Sequence, residues 1–197
     1  MKKGIVISAV VASLTLTTSL YAKNKKHKAQ NFKQEKKIAR QTIKKLVKNF
    51  QTNFKQAIKT EGPAGAVNFC SSKADEITAS VNKKLKNGVS IKRITLNPRN
   101  EKNLAQNEEA KILSSLKTLK ENGVVLPKLL VQKIDKKHTK VIKPIMIKPK
   151  CLICHGEKDK LNPKAYETIK AKYPNDKATG YKLGELRGAF VVDIVKK

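Results

Sequence analysis

Cys151-Leu152-Ile153-Cys154-His155 is the part of this chain best equipped for chemistry. Two thiols one helical turn apart, followed at once by an imidazole, form the attachment signature for c-type haem. The thiols would form thioethers to two vinyl groups on one porphyrin edge, and the imidazole would reach the iron. Zinc would need four ligands, and the remaining candidates, His27, His138 and Cys70, have no paired spacing. A redox disulfide would also use C-x-x-C, at a helix start after a strand, and gives the histidine no task. That thiol oxidoreductase is the weaker rival. For the sixth iron position the candidates are Cys70, Met146, His138, His27 or an open site. Met146 in an alternating strand reads more simply as core, and His138 as a solvent-exposed side chain in a lysine-rich hairpin tip. Cys70, on an apolar helical face, reads equally well as a ligand or as a small buried hydrophobe.

These residues need an exported setting and a frame. Lys2 and Lys3, the apolar run from Gly4 to Leu16, and Leu20-Tyr21-Ala22 read as a signal peptide over 1–22 with cleavage near Ala22. A retained anchor is the alternative, although the run is short for a membrane span. The expected location is periplasmic. With residues 1–22 removed, 42 Lys+Arg face 15 Asp+Glu, a net charge of +27. Such a balance usually suggests nucleic acid, but export argues against that partner. A solvated basic surface is the plain reading, with an acidic redox partner protein, anionic lipid headgroups and haem propionates as counter-charges.

Residues 23–61 read as a flexible basic leader (23–30) and a long amphipathic helix from about 32 to 59. Ala39, Ile43, Leu46, Val47, Phe50, Phe54 and Ile58 form its stripe. The stripe would pack on the domain, pair with a second chain as a homodimer, or lie on a membrane, and packing is the default. Glu61-Gly62-Pro63 breaks the helix. Residues 62–197 form the expected main domain. In its first helix, to about Leu85, Ala66, Val67, Cys70, Ala74 and Ile77 share a face. A strand follows over 89–96, then a turn at Asn97-Pro98-Arg99-Asn100. A helix over 104–121 turns Ile112, Leu113, Leu116 and Leu119 inward. Two strands (128–134 and 140–147), the haem motif, a short helix from Asn162-Pro163 to about Ala171, a turn-rich loop and a final strand over 187–194 complete an α+β domain.

Four blocks then carry a family resemblance. They are Ala66-Val67-Asn68-Phe69-Cys70 with Ala74; Arg93 to Asn100 with Asn103; Cys151 to Gly156; and Tyr173 to Tyr181 with Gly184 to Ala189. Together they resemble the bacterial PAS-like c-type haem domain family, long catalogued as a domain of unknown function. The resemblance covers essentially the whole chain after the signal. It implies a PAS-like antiparallel sheet with long N-terminal helices and one covalent haem c with a Cys/His axial pair, His155 proximal and Cys70 opposite. Where the family often has Pro and an aromatic, this chain has Glu101 and Asn107. Arg93, Arg99 and Arg187 lie in the blocks and suit bidentate pairing with propionates, or equally structural salt bridges and loop-fixing hydrogen bonds. Tyr173 and Tyr181 would close over the haem edge, or simply pack.

The expectation is therefore an exported mono-haem c-type cytochrome, not an enzyme, working in electron transfer or redox sensing. The nearest rival is a gas or redox sensor module that signals through a partner protein.

Overall fold

Neither glycine nor proline interrupts the chain between Gly4 and Gly62, so nothing local stops a helix there. A computed structural model describes residues 11–196, with side chains from residue 32 onward. Lys2, Lys3 and the start of the apolar run lie outside the described residues, as does the His27 side chain. Helix α1 spans Val11–Lys83 and passes through 23–30, expected as a flexible leader. Lys, Ala and Gln are good helix formers, so the basic composition is no obstacle. At Gly62 the backbone leaves the helix (φ 68°, ψ −162°), a conformation that glycine adopts without a Cβ penalty, and Pro63 starts the second arm. Among the described residues, no helix is long and apolar enough to cross a membrane.

The strands are β1 (Val89–Ile94), β2 (Leu130–Lys133), β3 (His138–Met146) and β4 (Leu186–Val195). They form one antiparallel sheet in the order β1-β4-β3-β2, so the last strand enters between the first and third. With flanking helices this is the expected PAS-like α+β frame. The two faces alternate along β4. Val192 and Ile194 pack against Ala39, Ile43, Leu46 and Val81 of α1. Ala189 and Val191 pack with Leu113 and Leu116 of α2 (Asn107–Glu121). The first arm of α1 thus shares a core with the sheet, and Phe50 meets Phe69 of the second arm at 5.5 Å between ring centroids.

Two details depart from expectation. Leu119 is 44% exposed, because the inward stripe of α2 ends at Leu116. The helix expected from 104 begins at Asn107, whose φ of 49° is a left-handed conformation that asparagine tolerates better than most residues. Next to it, Glu109 is buried between Lys140 (2.8 Å) and Lys92 (2.9 Å), tying α2 to β3 and β1. Burial would raise its pKa, but the hydrogen bonds and charges of both lysines outweigh burial and hold it below the usual carboxylate range. A carboxylate with a lowered folded-state pKa adds stability above its unfolded pKa and loses it as pH falls through the lowered value. Chemical denaturation across acidic pH is expected to show this loss, and Glu109→Gln to flatten it. An equal slope in the variant would remove Glu109 from the account.

Gly188 lies in β4 where a Cβ would run into the Ile94 carbonyl of β1. Its role is therefore close strand approach. Gly188→Ala should cost about 1–3 kcal/mol, read from the denaturation midpoint.

Candidate functional site

The motif sits where β3 ends. A 3₁₀ turn, Pro149–Cys151, runs into the one-turn helix α3, Leu152–His155, and the Gly156 N–H closes it on the Leu152 carbonyl at 3.0 Å. Cys151 and Cys154 are half-buried free thiols on this single turn. Burial raises the Cys154 pKa, with Arg99 opposing.

His155 is held at both its ring and its backbone. Nδ1 lies 2.7 Å from the Ala178 carbonyl oxygen. A carbonyl can only accept, so Nδ1 carries the proton and Nε2 keeps its lone pair, the state a metal-binding imidazole needs. Burial, then the charges of Arg99 and Arg187, push the ring's pKa down to about 3 against the opposing Ala178 bond. The ring is therefore neutral at physiological pH. Tyr181 N–H donates to the His155 carbonyl at 2.9 Å, Gly180 N–H donates to Gly156 at 2.8 Å, and the Tyr181 ring meets the imidazole edge-on at 6.4 Å. The loop between α4 (Pro163–Lys172) and β4 thus forms the wall that fixes the ring.

Arg99 holds that loop to the motif. Its Nε and Nη2 donate to Asp176 at 3.0 and 3.3 Å, and Nη2 also donates to the Cys154 carbonyl at 2.7 Å. Asp176 Oδ1 in turn accepts the Ala178 N–H at 3.1 Å. One chain of bonds therefore runs from Cys154 through Arg99, Asp176 and Ala178 to His155. Asp176 was not singled out from the sequence as a functional residue, although it lies in the Tyr173–Tyr181 block.

The three arginines therefore differ. Arg99 uses Nε and Nη2 for a salt bridge to Asp176 and the Cys154 carbonyl, the structural alternative to a propionate partner. Arg187 donates from Nη1 to Thr95 Oγ1 (2.6 Å) and the Asn97 carbonyl (3.1 Å) and lies over the Tyr181 ring at 5.4 Å, so it fixes loops. Arg93 lies over Phe50 at 5.6 Å and has no carboxylate partner among the described residues.

Cys70, on the second arm of α1, comes to the motif from the opposite side of the sequence. One turn before it, Val67 packs on Leu161, Ala165 and Ile169, with Cys154 against the same cluster. Burial and the nearby Cys154 push the Cys70 thiol up to about 11, with Arg93 and Arg99 opposing. The same field raises Tyr173 through burial and then Cys70, so Tyr173 borders this space. Cys70, Cys154, Arg93, Arg99 and Tyr173 thus lie near enough to act on one another's charge.

His138 is elsewhere. It begins β3 instead of capping a hairpin tip, and its Nε2 lies 2.7 Å from Asp193 Oδ1, which commits the ring. The preceding turn is made by Asp135, which accepts the N–H groups of Lys137 and His138 at 2.7 Å each. Met146 ends β3 opposite Leu186, half-buried, beside a register irregularity. Among the described residues, no group of three or more His, Cys, Asp or Glu is arranged to hold a metal ion by itself.

The residues fit a covalently tethered haem. Two thiols lie on one turn, a neutral imidazole has its Nε2 lone pair available, and a lone soft donor lies close by. A family model described as Tll0287-like matches residues 18–195. Among solved structures, the chain is similar to the crystal structure of the cyanobacterial haem protein Tll0287, with 26% identity and a TM-score of 0.47, over 61% of this chain and 73% of that one. No curated protein matches.

Proposed function

The chain belongs to the Tll0287-like family, and on that premise we propose that it is an exported mono-haem c-type cytochrome acting in electron transfer or redox sensing. The observation that carries this reading is the Nδ1–Ala178 bond, which orients His155 and leaves Nε2 as a ligand. The family's namesake, described as a haem protein, supports it. Cys151 and Cys154 would tether one haem c, His155 would be the proximal ligand and Cys70 the opposite one. Bound there, the haem would supply a one-electron ferric/ferrous couple. The protein holds and orients it: Arg99 and Asp176 fix the loop, Tyr181 backs the imidazole, and Arg93 offers its charge to a propionate. With His155 and Cys70 both committed to the iron, the protein would act as a carrier or sensor and not as an enzyme.

The setting proposed is periplasmic, with an acidic redox partner. Absorption spectra of oxidised and reduced protein, with and without carbon monoxide, test the reading. A low-spin ferric spectrum with both positions filled is expected, and a spectrum lacking haem bands contradicts it. Stopped-flow reduction separates the two roles. Rapid reversible exchange with unchanged ligation marks a carrier, whereas loss of Cys70 on reduction or gas binding marks a sensor.

A further inference from the structure

The first arm of α1 has a second face that the haem reading does not use. Between residues 23 and 59 there are thirteen Lys+Arg and one acidic residue, Glu35. From 60 to 197 the count is 29 against 14. Glu35 is buried and bonded to Thr139 and Lys196, so it neutralises nothing on the helix exterior. Lys33, Lys37, Arg40, Lys44, Lys48 and Lys55 are all exposed, and none is ion-paired among the described residues. At 100° per residue they fall within an arc of about 80°, opposite Ala39, Ile43 and Leu46, along roughly 33 Å of helix. Elsewhere acids intersperse the lysines, as in Lys73–Glu76, Lys111–Glu108 and Lys117–Glu121.

We propose that this stripe docks the protein on an anionic lipid surface. Cations repelling one another along one line lower the helix's own stability, and a plane of negative headgroups relieves that along the whole row. The row is almost entirely lysine. Lysine is a point charge that suits a fluid layer of phosphates, whereas recognition of a shaped acidic protein favours the bidentate arginine fork. Lys23, Lys25, Lys26 and Lys28 extend the charge toward the apolar N-terminal run, which meets the membrane during export. The inference uses the exported setting but not the haem.

The test is co-sedimentation of the exported protein with vesicles of phosphatidylglycerol mixed with phosphatidylethanolamine, against phosphatidylcholine alone. Binding to the anionic vesicles only is expected, falling at least about tenfold as salt rises from about 0.05 to about 0.5 M. Lys37→Glu with Lys44→Glu, Lys48→Glu and Lys55→Glu should abolish binding while thermal unfolding stays near that of the parent. A set at the same four positions changed to Gln should weaken binding to an intermediate degree, which keeps the test open if the first set folds poorly. Reversing four exposed lysines elsewhere (Lys84→Glu, Lys128→Glu, Lys143→Glu, Lys172→Glu) should change binding by less than about threefold. Equal losses in the two reversed sets would show only net charge and overturn the proposal. Binding to polyglutamate without binding to vesicles would overturn it in favour of an acidic protein.

Discussion

Cys70→Ser is expected to leave one haem attached per chain while changing the ferric absorption and electron spin resonance spectra and raising the reduction potential by on the order of 100 mV or more. In the proposed site attachment would run through Cys151 and Cys154, so the mass of the tethered product should not move. In the proposed site Cys70 would be the sixth ligand, and its negative charge when bound would favour ferric iron, so removing it should favour the ferrous state. Burial pushes the free thiol up to about 11, so without iron Cys70 is a protonated, poorly nucleophilic group. Only a nearby cation would draw off its proton. Serine keeps the size of the side chain without the soft donor, so packing around Val67 and Ala74 should hold. Unchanged spectra and potential would remove Cys70 from the iron.

How far this site could be read from the sequence depended on the range of the forces involved. The motif and the inward face of Cys70 are local facts, set by spacing on one helical turn and by the Ala66, Val67, Ala74 stripe, and both reappear in the structure. The break at Gly62-Pro63 and the start of α4 at Asn162-Pro163 follow from backbone chemistry just as local; the Asn162 side chain accepts the Ala165 N–H at 3.1 Å. Arg99 was harder. Whether it faces a propionate or a protein carboxylate depends on Asp176, 77 residues later. His138 was misplaced because a lysine-rich segment looks like a turn, whereas the Asp135 side chain closes the turn earlier and lets the strand begin at His138. The charge of residues 23–30 suggests a flexible leader, but their residue types favour a helix and α1 runs through them.

Arg99→Ala is the second large effect. It removes three hydrogen bonds and leaves Asp176 without its partner at a site where the two side chains are only 12% and 9% exposed. Breaking such a pair from one side should cost about 3 kcal/mol, or roughly 6–12 °C in Tm for a chain of this size. A purely structural bridge would stop there. If Arg99 also positions His155 through Asp176 and Ala178, the variant should lose haem loading, and the haem it keeps should show a shifted potential. Arg99→Lys should rescue poorly, because one ammonium cannot reproduce the fork. Asp176→Asn keeps an acceptor for the Ala178 N–H and should keep more of the potential than Arg99→Ala does. Equal Tm losses with an unmoved potential in both variants would reduce the pair to a structural bridge.

The central claim is that Cys151 and Cys154 carry a haem whose iron His155 binds. Mass spectrometry of the exported protein, produced alongside the haem-attachment machinery and digested under denaturing conditions, tests it most directly. The account predicts one haem retained on the peptide containing Cys151 to His155, with Cys70 unmodified. A peptide without haem, with Cys151 and Cys154 joined as a disulfide, would contradict it.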